Sequence, residues 1–188
     1  MYILALNGSP SKDGNTAYLL REIISHCDGA ESEIINIPEV ISSAKWPFCI
    51  SCSNPCDKKC YIGTKLEEVF DKVTKADFVI FGSPVYFGSM TAQLKAFFDK
   101  TRGVRGEKLW LGKPMCAVSV GASLFGGEER TIEHIQSCAM VLGMTVVGNG
   151  SEIGMGHFGV SACRPAENDE NAIKQCKSMA KTIMTYAK

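Results

Sequence analysis

The chain has 188 residues, of which 45% are hydrophobic and 21% are charged, and its formal net charge is zero. These values indicate one medium-sized globular domain and exclude a disordered or fibrous chain. The balanced charge argues against nucleic acid or an anionic membrane as a partner, and no run of about 20 apolar residues predicts a membrane span. The apolar run at residues 2–6 is too short for a signal-peptide core, so we expect a cytoplasmic protein.

Short apolar runs alternate with longer amphipathic runs along the chain. The apolar runs predict five strands, at residues 2–6, 33–37, 78–81, 115–120 and 145–147. The amphipathic runs predict five helices, at residues 16–25, 64–75, 90–100, 128–142 and 166–186, while residues 38–61 are predicted to be irregular. This alternation is typical of parallel strand pairing. The sequence therefore predicts an α/β fold: a flavodoxin-like, doubly wound, five-stranded parallel sheet in the order 2-1-3-4-5, with helices on both faces, in a single domain over residues 1–188.

Glycine-containing loops follow the first, third and fourth predicted strands. In a doubly wound sheet, ligands bind beyond the carboxyl ends of the strands, where such loops meet. We therefore expect the three loops to form one ligand site.

The first of these loops, residues 7–16, is rich in neutral hydrogen-bond donors. It offers the hydroxyls of Ser9, Ser11 and Thr16 and the amide of Asn15, and its glycines let backbone N–H groups converge. It lacks the Gly-Lys-Ser/Thr ending of a triphosphate-binding loop and the three-glycine spacing of a dinucleotide loop. Donors of this kind before a helix suit a phosphate monoester, although an ordinary turn capped by Thr16 would also fit these residues.

Two motifs resemble one protein family. The first is GSPS at positions 8–11 with GNT at positions 14–16, and the second is GSPVYFGSMTAQLK at positions 82–95. Together they resemble the NAD(P)H-dependent FMN reductase and iron–sulfur flavoprotein family, over residues 1–148. The resemblance implies a flavodoxin-like fold, bound FMN and a homo-oligomer, either a homodimer or a homotetramer.

The resemblance also implies which residues contact FMN. The phosphate would be held by Ser9, Ser11, Asn15, Thr16 and Ala17. The isoalloxazine ring would lie against Pro84, Val85, Tyr86, Phe87 and Gly88, and the loop that begins at Gly121 and Ala122 would close its other side. Proline fixes the turn, the aromatic side chains offer apolar contact and glycine permits close approach, although Tyr86 and Phe87 could instead be core residues at a strand end.

Four cysteines, Cys49, Cys52, Cys56 and Cys60, lie in a cysteine-rich insertion at about residues 45–62, which we call the cysteine segment. Iron–sulfur flavoproteins carry a compact four-cysteine motif in this region, so the resemblance implies a 4Fe–4S cluster. The middle spacing here is three residues, where the family usually has two. A zinc ion or free redox-active thiols are the alternatives.

The other five cysteines are dispersed among apolar or helical residues. An odd total in a chain without a secretory signal argues against a disulfide scaffold. We interpret these five as small buried hydrophobic residues: Cys27, Cys116, Cys138, Cys163 and Cys176.

No acid–base pair or Ser–His–Asp set is recognisable, and we identify no catalytic residue. Flavin chemistry needs none, because the cofactor performs the reaction and the protein positions it. His157 could approach the flavin edge. Two functions fit: an FMN oxidoreductase that takes electrons from NAD(P)H or a ferredoxin-like donor and passes them to a small-molecule or protein acceptor, or a non-enzymatic flavoprotein that relays single electrons between proteins.

Overall fold

The structure is a computed structural model that describes residues 1–150 and 157–186. Its centre is a parallel sheet in the order β2-β1-β3-β4-β5, with a further strand, β6, paired to β4. The strands are β1 (Tyr2–Asn7), β2 (Glu31–Asn36), β3 (Phe78–Pro84), β4 (Pro114–Gly121), β5 (Thr145–Val146) and β6 (Val160–Cys163). The predicted strand order is confirmed.

The helices are α1 (Asn15–Ser25), α2 (Ile37–Ser42), α3 (Lys65–Lys75), α4 (Ala92–Asp99), α5 (Arg102–Gly106), α6 (Glu128–Val141) and α7 (Glu170–Met184). They cover both faces of the sheet, as predicted: α1 and α7 pack on one face, and α2 to α6 on the other. In the part of the chain that the structure describes, no helix is long and apolar enough to cross a bilayer.

The fifth position of the sheet is shared by two strands, where one strand was predicted. β5 pairs with Pro114 and Met115 at the start of β4, and β6 pairs with the end of β4, from Val118 to Gly121. The chain leaves the sheet after β5 and returns at Gly159, where a Cβ atom would lie 2.2 Å from the carbonyl oxygen of Ala117. Only glycine permits this approach to β4.

Several predicted boundaries are wrong. The second strand was predicted at residues 33–37, but it begins at Glu31 and ends before Ile37, which starts α2 in a region predicted to be irregular. The predicted helix 90–100 is shorter and is followed by the separate helix α5. The last predicted helix is a 3-10 turn (Ala166–Asn168) followed by α7. Apart from α7, these elements are short, and the ends of helices and strands are set by tertiary contacts more than by the local pattern.

Three of the five dispersed cysteines are buried against the face that α1 and α7 cover, namely Cys27, Cys116 and Cys176. Their prediction as buried small residues is confirmed, while Cys138 and Cys163 are half-buried. Burial raises the pKa of the Cys27 thiol from 9.0 to about 11 and that of the Cys176 thiol to about 12. The thiolate form is therefore disfavoured in the folded protein.

We expect the free energy of unfolding to fall as pH rises above 9. Below pH 9 the thiols are protonated in both the folded and the unfolded state. Between pH 9 and about pH 11 the Cys27 thiol is deprotonated in the unfolded chain but still protonated in the folded chain. Each such thiol contributes about 1.4 kcal/mol per pH unit to the slope. Cys27→Ala should flatten the slope of denaturant-derived stability against pH. Ile23→Val, which removes buried volume on the same face without a thiol, should leave the slope unchanged; an unaltered slope in Cys27→Ala contradicts the argument.

Candidate functional site

The carboxyl ends of β1, β3 and β4 lie side by side, so the loops that follow them meet at one edge of the sheet. The first loop is bonded directly to β3, because the backbone N–H of Gly8 donates to the carbonyl of Gly82 at 2.7 Å. A Cβ atom on Gly8 would lie 2.9 Å from that oxygen and 2.8 Å from Cβ of Leu94. Glycine is therefore required where β1 meets β3 and α4.

The side chain of Asn7 shapes the first loop. Its Oδ1 accepts from the N–H of Ser9 at 3.0 Å, and its Nδ2 donates to the carbonyls of Ser11 and Lys12, each at 3.4 Å. The Oγ of Ser9 accepts from the N–H of Ser11 at 3.1 Å. Asn7 is buried and was not among the predicted site residues, although it holds two of them in place.

The start of α1 carries no side-chain cap. The helix begins at Asn15, and the residue before it is Gly14, so the proposed turn capped by Thr16 is wrong. Side chains cap α3, α4 and α7, through Thr64, Thr91 and Asp169, whereas α2, α5 and α6 also begin without one; what distinguishes α1 is the donor-rich loop that precedes it. The first N–H groups of α1 thus point towards the loop without a side-chain acceptor, which is the arrangement that binds a phosphate.

The predicted phosphate residues lie at this helix start. Ser9, Thr16 and Ala17 are buried there, and Ser11 is exposed on the loop. Asn15 has a second contact, because its Oδ1 accepts from the N–H of Ala166 at 2.7 Å. Only its amide N–H groups are then oriented for a ligand, while its oxygen ties the 3-10 turn to α1.

The second loop ends in a tight turn whose tip is aromatic. Tyr86 and Ser89 exchange backbone hydrogen bonds of 2.8 and 3.1 Å, and the two residues between them, Phe87 and Gly88, have φ of 50° and 71°. Two successive positive φ values define a type I′ turn, which phenylalanine adopts at a cost of about 1–2 kcal/mol. Phe87 is fully exposed and Tyr86 is half-exposed, so their interpretation as core residues is wrong.

The third loop touches the second. Gly127 has φ of 99°, and a Cβ atom there would lie 3.5 Å from Cα of Gly88 and from Cγ1 of Val85. Phe125 is a second exposed aromatic residue with positive φ, 58°. The two strained aromatic residues therefore belong to loops in contact, and a flat ligand between these loops would cover them.

A buried carboxylate underlies the third loop. Glu128 is the first residue of α6, and a Cβ atom on Gly121 would lie 1.7 Å from its Oε1. Gly121 is accordingly buried at the end of β4, whereas Ala122 is exposed. Glu128 was not among the predicted site residues, and its position suits the positive end of the α6 dipole.

A groove of about 610 Å³ runs from the second loop along α6. Its lining includes Tyr86, Phe87 and His134, and the Oγ of Ser89 lies 2.9 Å from Nδ1 of His134. A second cavity, of about 490 Å³, brings His157 together with Phe125 and the end of β6. His157 therefore lies beside the third loop.

The cysteine segment lies at the other end of α4. Cys49 lines a cavity of about 510 Å³ with Phe98 and Thr101, and a Cβ atom on Gly103 would lie 2.7 Å from the hydroxyl of Tyr61. Burial raises the pKa of the Cys60 thiol, and the neighbouring Lys100 ammonium opposes that rise.

The four cysteines do not form a single-ion site in this conformation. Among the described residues, no three His, Cys, Asp or Glu side chains converge in the way that one metal ion needs. A tetrahedral zinc ion requires its sulfurs about 2.3 Å from one point, so this arrangement does not support zinc. A cubane cluster holds its thiolates further apart and needs four thiols on a short loop, which this segment supplies.

Comparison with known proteins bears on the identity of the site. The family model described as NADPH-dependent FMN reductase matches residues 1–157. The chain belongs to this family. A curated iron–sulfur flavoprotein of Methanocaldococcus jannaschii is 33% identical over all of this chain and 98% of its own length. Another, from Methanosarcina thermophila, is 33% identical over 97% of this chain and 93% of its own length.

Solved structures share the fold at lower identity. A flavoenzyme NAD(P)H:(acceptor) oxidoreductase from Paracoccus denitrificans aligns with a TM-score of 0.69 at 16% identity, over 98% of this chain and 96% of that one. A flavodoxin of Fusobacterium nucleatum bound to flavin mononucleotide aligns with a TM-score of 0.65 at 15% identity, over 100% and 99%. These likenesses confirm the flavodoxin-like fold, and family membership places the chain among FMN-binding flavoprotein oxidoreductases.

Thr91 joins the first loop to the second, and it also was missed from sequence. Its Oγ1 donates to the carbonyl of Gly8 at 2.7 Å and accepts from the N–H of Leu94 at 3.2 Å, while its own N–H donates to Ser83. The residue is completely buried. A threonine before a helix signals a cap in sequence, but the bond to Gly8 depends on tertiary structure.

We expect Thr91→Val to lower both stability and FMN affinity. Loss of the α4 cap should reduce the free energy of unfolding by about 1 kcal/mol, and loss of the bond to Gly8 should loosen the phosphate loop. Thr64→Val removes the equivalent cap of α3, with a similar loss of stability, but should leave the FMN dissociation constant unchanged. Denaturant unfolding and flavin-fluorescence titration measure the two effects; equal FMN affinity in both variants contradicts the linking role of Thr91.

Proposed function

We propose that this protein holds one FMN at the carboxyl edge of its sheet and transfers electrons from NAD(P)H or a reduced carrier to an acceptor. The observation on which this depends is the uncapped start of α1, which faces the loop of Ser9 and Ser11. A phosphate there would accept from backbone N–H groups and hydroxyls and would meet the positive end of the helix dipole.

The residues present also fit an isoalloxazine ring. The exposed, strained Phe87 and Phe125 offer apolar surface on two touching loops, and Pro84 fixes the strand end before the turn. Strain of this kind persists where a ligand compensates it. When bound, FMN supplies reversible acceptance of electrons from nicotinamide or from single-electron carriers.

The protein's own residues bind and orient the ring and limit its exposure to water. The Tyr86–Ser89 turn is held by two backbone bonds, and the contact between Ser89 and His134 joins it to α6. Glu128 places its carboxyl group beneath the third loop, against Gly121. No side chain needs to act as a base for hydride transfer, because the donor can stack on the exposed face beside Tyr86 and Phe87.

A second function, relay of single electrons between proteins, is favoured by one feature of the surface. The groove beside the second loop and the cavity beside Cys49 share Ser137 and Cys138 as lining residues. A continuous depression on α4 and α6 thus joins the proposed flavin site to the cysteine segment. We propose that Cys49, Cys52, Cys56 and Cys60 bind a 4Fe–4S cluster, as the names of the relatives suggest.

The phosphate site can be tested by comparing FMN with riboflavin, which lacks the phosphate. Thr16→Val should weaken FMN binding about tenfold or more, because a hydrogen bond to a charged group is worth about 1.5–3 kcal/mol, and should leave riboflavin binding unchanged. Thr182→Val, in the last turn of α7, serves as the control. Fluorescence titration of the apoprotein gives the constants, and an equal loss for both ligands would place the phosphate elsewhere.

Donor choice separates the two functions. We expect the holoprotein, purified without oxygen, to oxidise NAD(P)H with steady turnover when a dye is the acceptor. Reduction by ferredoxin alone, without oxidation of NADH or NADPH, would contradict the reductase function and support the relay. A colourless protein that cannot be reconstituted with FMN would contradict both.

A further inference from the structure

Lys100, the residue after α4, carries an isolated charge in the protein interior. Its side chain is 1% exposed, and among the described residues its Nζ makes no hydrogen bond to an oxygen or nitrogen atom, because the group beside it is the weakly accepting Cys60 thiol. A buried ammonium without a partner costs several kcal/mol, so a fold that keeps one needs a compensating anion nearby in its working state.

Three carboxylates of the cysteine segment and of the chain from α4 to just beyond α5 are paired with lysines other than Lys100. Asp99 accepts from Lys95 at 2.6 Å, Asp57 pairs with Lys59 at 2.6 Å, and Glu107 pairs with Lys58. Two further cations, Arg102 and Arg105, line the cavity of Cys49. Asp57, Asp99 and Glu107 are thus each neutralised by a lysine other than Lys100.

One thiol of the cysteine segment lies beside Lys100, and a second lines a cavity formed by its sequence neighbours. The Cys60 thiol lies beside the Lys100 ammonium. Cys49 lines the cavity formed by Phe98, Asp99 and Thr101, which flank Lys100 in sequence. Both ends of the four-cysteine motif thus reach the same helix end as the unpaired charge.

We propose that Lys100 is the buried counter-cation of an anionic thiolate centre formed by Cys49, Cys52, Cys56 and Cys60, which holds an iron–sulfur cluster. This inference rests on the cluster part of the proposed function. On cluster assembly the four thiols release their protons to solvent and bind iron through sulfur, and the thiolates give the centre a net negative charge. Lys100 keeps its proton and forms no covalent bond.

Two consequences follow from the charge. The unpaired ammonium destabilises the apoprotein and stabilises the loaded protein, so cluster retention depends on it. Reduction adds one electron from the external donor to a centre that is already negative, and a fixed cation stabilises the reduced form more than the oxidised form. Lys100 therefore raises the reduction potential of the cluster.

The test uses Lys100→Met, which keeps the length of the side chain and removes its charge. Its control is Lys113→Met, at a half-buried lysine just before β4, outside the cysteine segment, whose Nζ donates to the carbonyl of Ala76. Each full-length protein is reconstituted without oxygen with iron and sulfide. The readouts are iron and sulfide per chain, the rate of iron loss to a chelator, the cluster midpoint potential and the thermal midpoint of the apoprotein.

For Lys100→Met we expect several-fold faster iron loss and a lower midpoint potential than in wild type, with an apoprotein at least as stable. Lys113→Met should keep wild-type iron retention and potential, and Lys100→Arg, which preserves the charge, should restore retention. A purely structural lysine would lower apoprotein stability, and that result would overturn the proposal. Unchanged iron retention and potential in Lys100→Met would overturn it as well.

Flavin content, measured in the same samples, separates this inference from the proposed function. Wild-type protein that binds FMN but no iron or sulfide would overturn the cluster and the role of Lys100 together, and would leave the flavin site standing. Wild-type protein that binds both, with Lys100→Met indistinguishable from it, would overturn the role of Lys100 alone.

Discussion

The close approach of β1 to β3 at their carboxyl ends determines the geometry of the sheet edge at which the three loops meet. Gly8 and Gly82 make this contact, and a Cβ atom on Gly82 would lie 2.8 Å from Cγ2 of Thr16 in α1. Thr91 then fixes α4 to the same point through Gly8. Two glycines and one threonine thus bring two strands and two helix starts together, and the predicted phosphate residues lie between them.

The structure holds several features that are unfavourable in the protein alone. Near this contact the start of α1 lacks a side-chain cap, and Phe87 and Phe125 adopt positive φ while exposed; at the other end of α4, Lys100 is buried without a carboxylate partner. The proposed ligands would offset these costs: a phosphate would accept from the helix N–H groups, a flat ring would cover the exposed aromatic side chains, and an anion would pair with the ammonium. These features therefore support the proposed FMN site and the proposed cluster centre.

Sequence alone predicted the sheet order because β1, β3 and β4 are short apolar runs that parallel pairing buries on both faces. It also predicted the three loops that meet at the carboxyl edge, since glycine, with serine or proline, interrupts the periodicity there. It missed β6, where Val160 to Cys163 carries no apolar run, and α2, which is six residues long. The sequence could not predict the roles of Asn7, Glu128 and Lys100, because these roles arise from the tertiary environment and not from a local sequence pattern.

The central claim is that the start of α1 binds the phosphate of FMN. The most direct test of this claim is a titration of the apoprotein with FMN. Flavin fluorescence measures the stoichiometry of binding, and phosphorus NMR reports the environment of the phosphate. We expect one FMN per chain and a phosphorus resonance displaced from that of free FMN, because backbone N–H groups surround the phosphate. Flavin that binds with an unshifted phosphorus resonance, or no flavin binding at all, would contradict the claim.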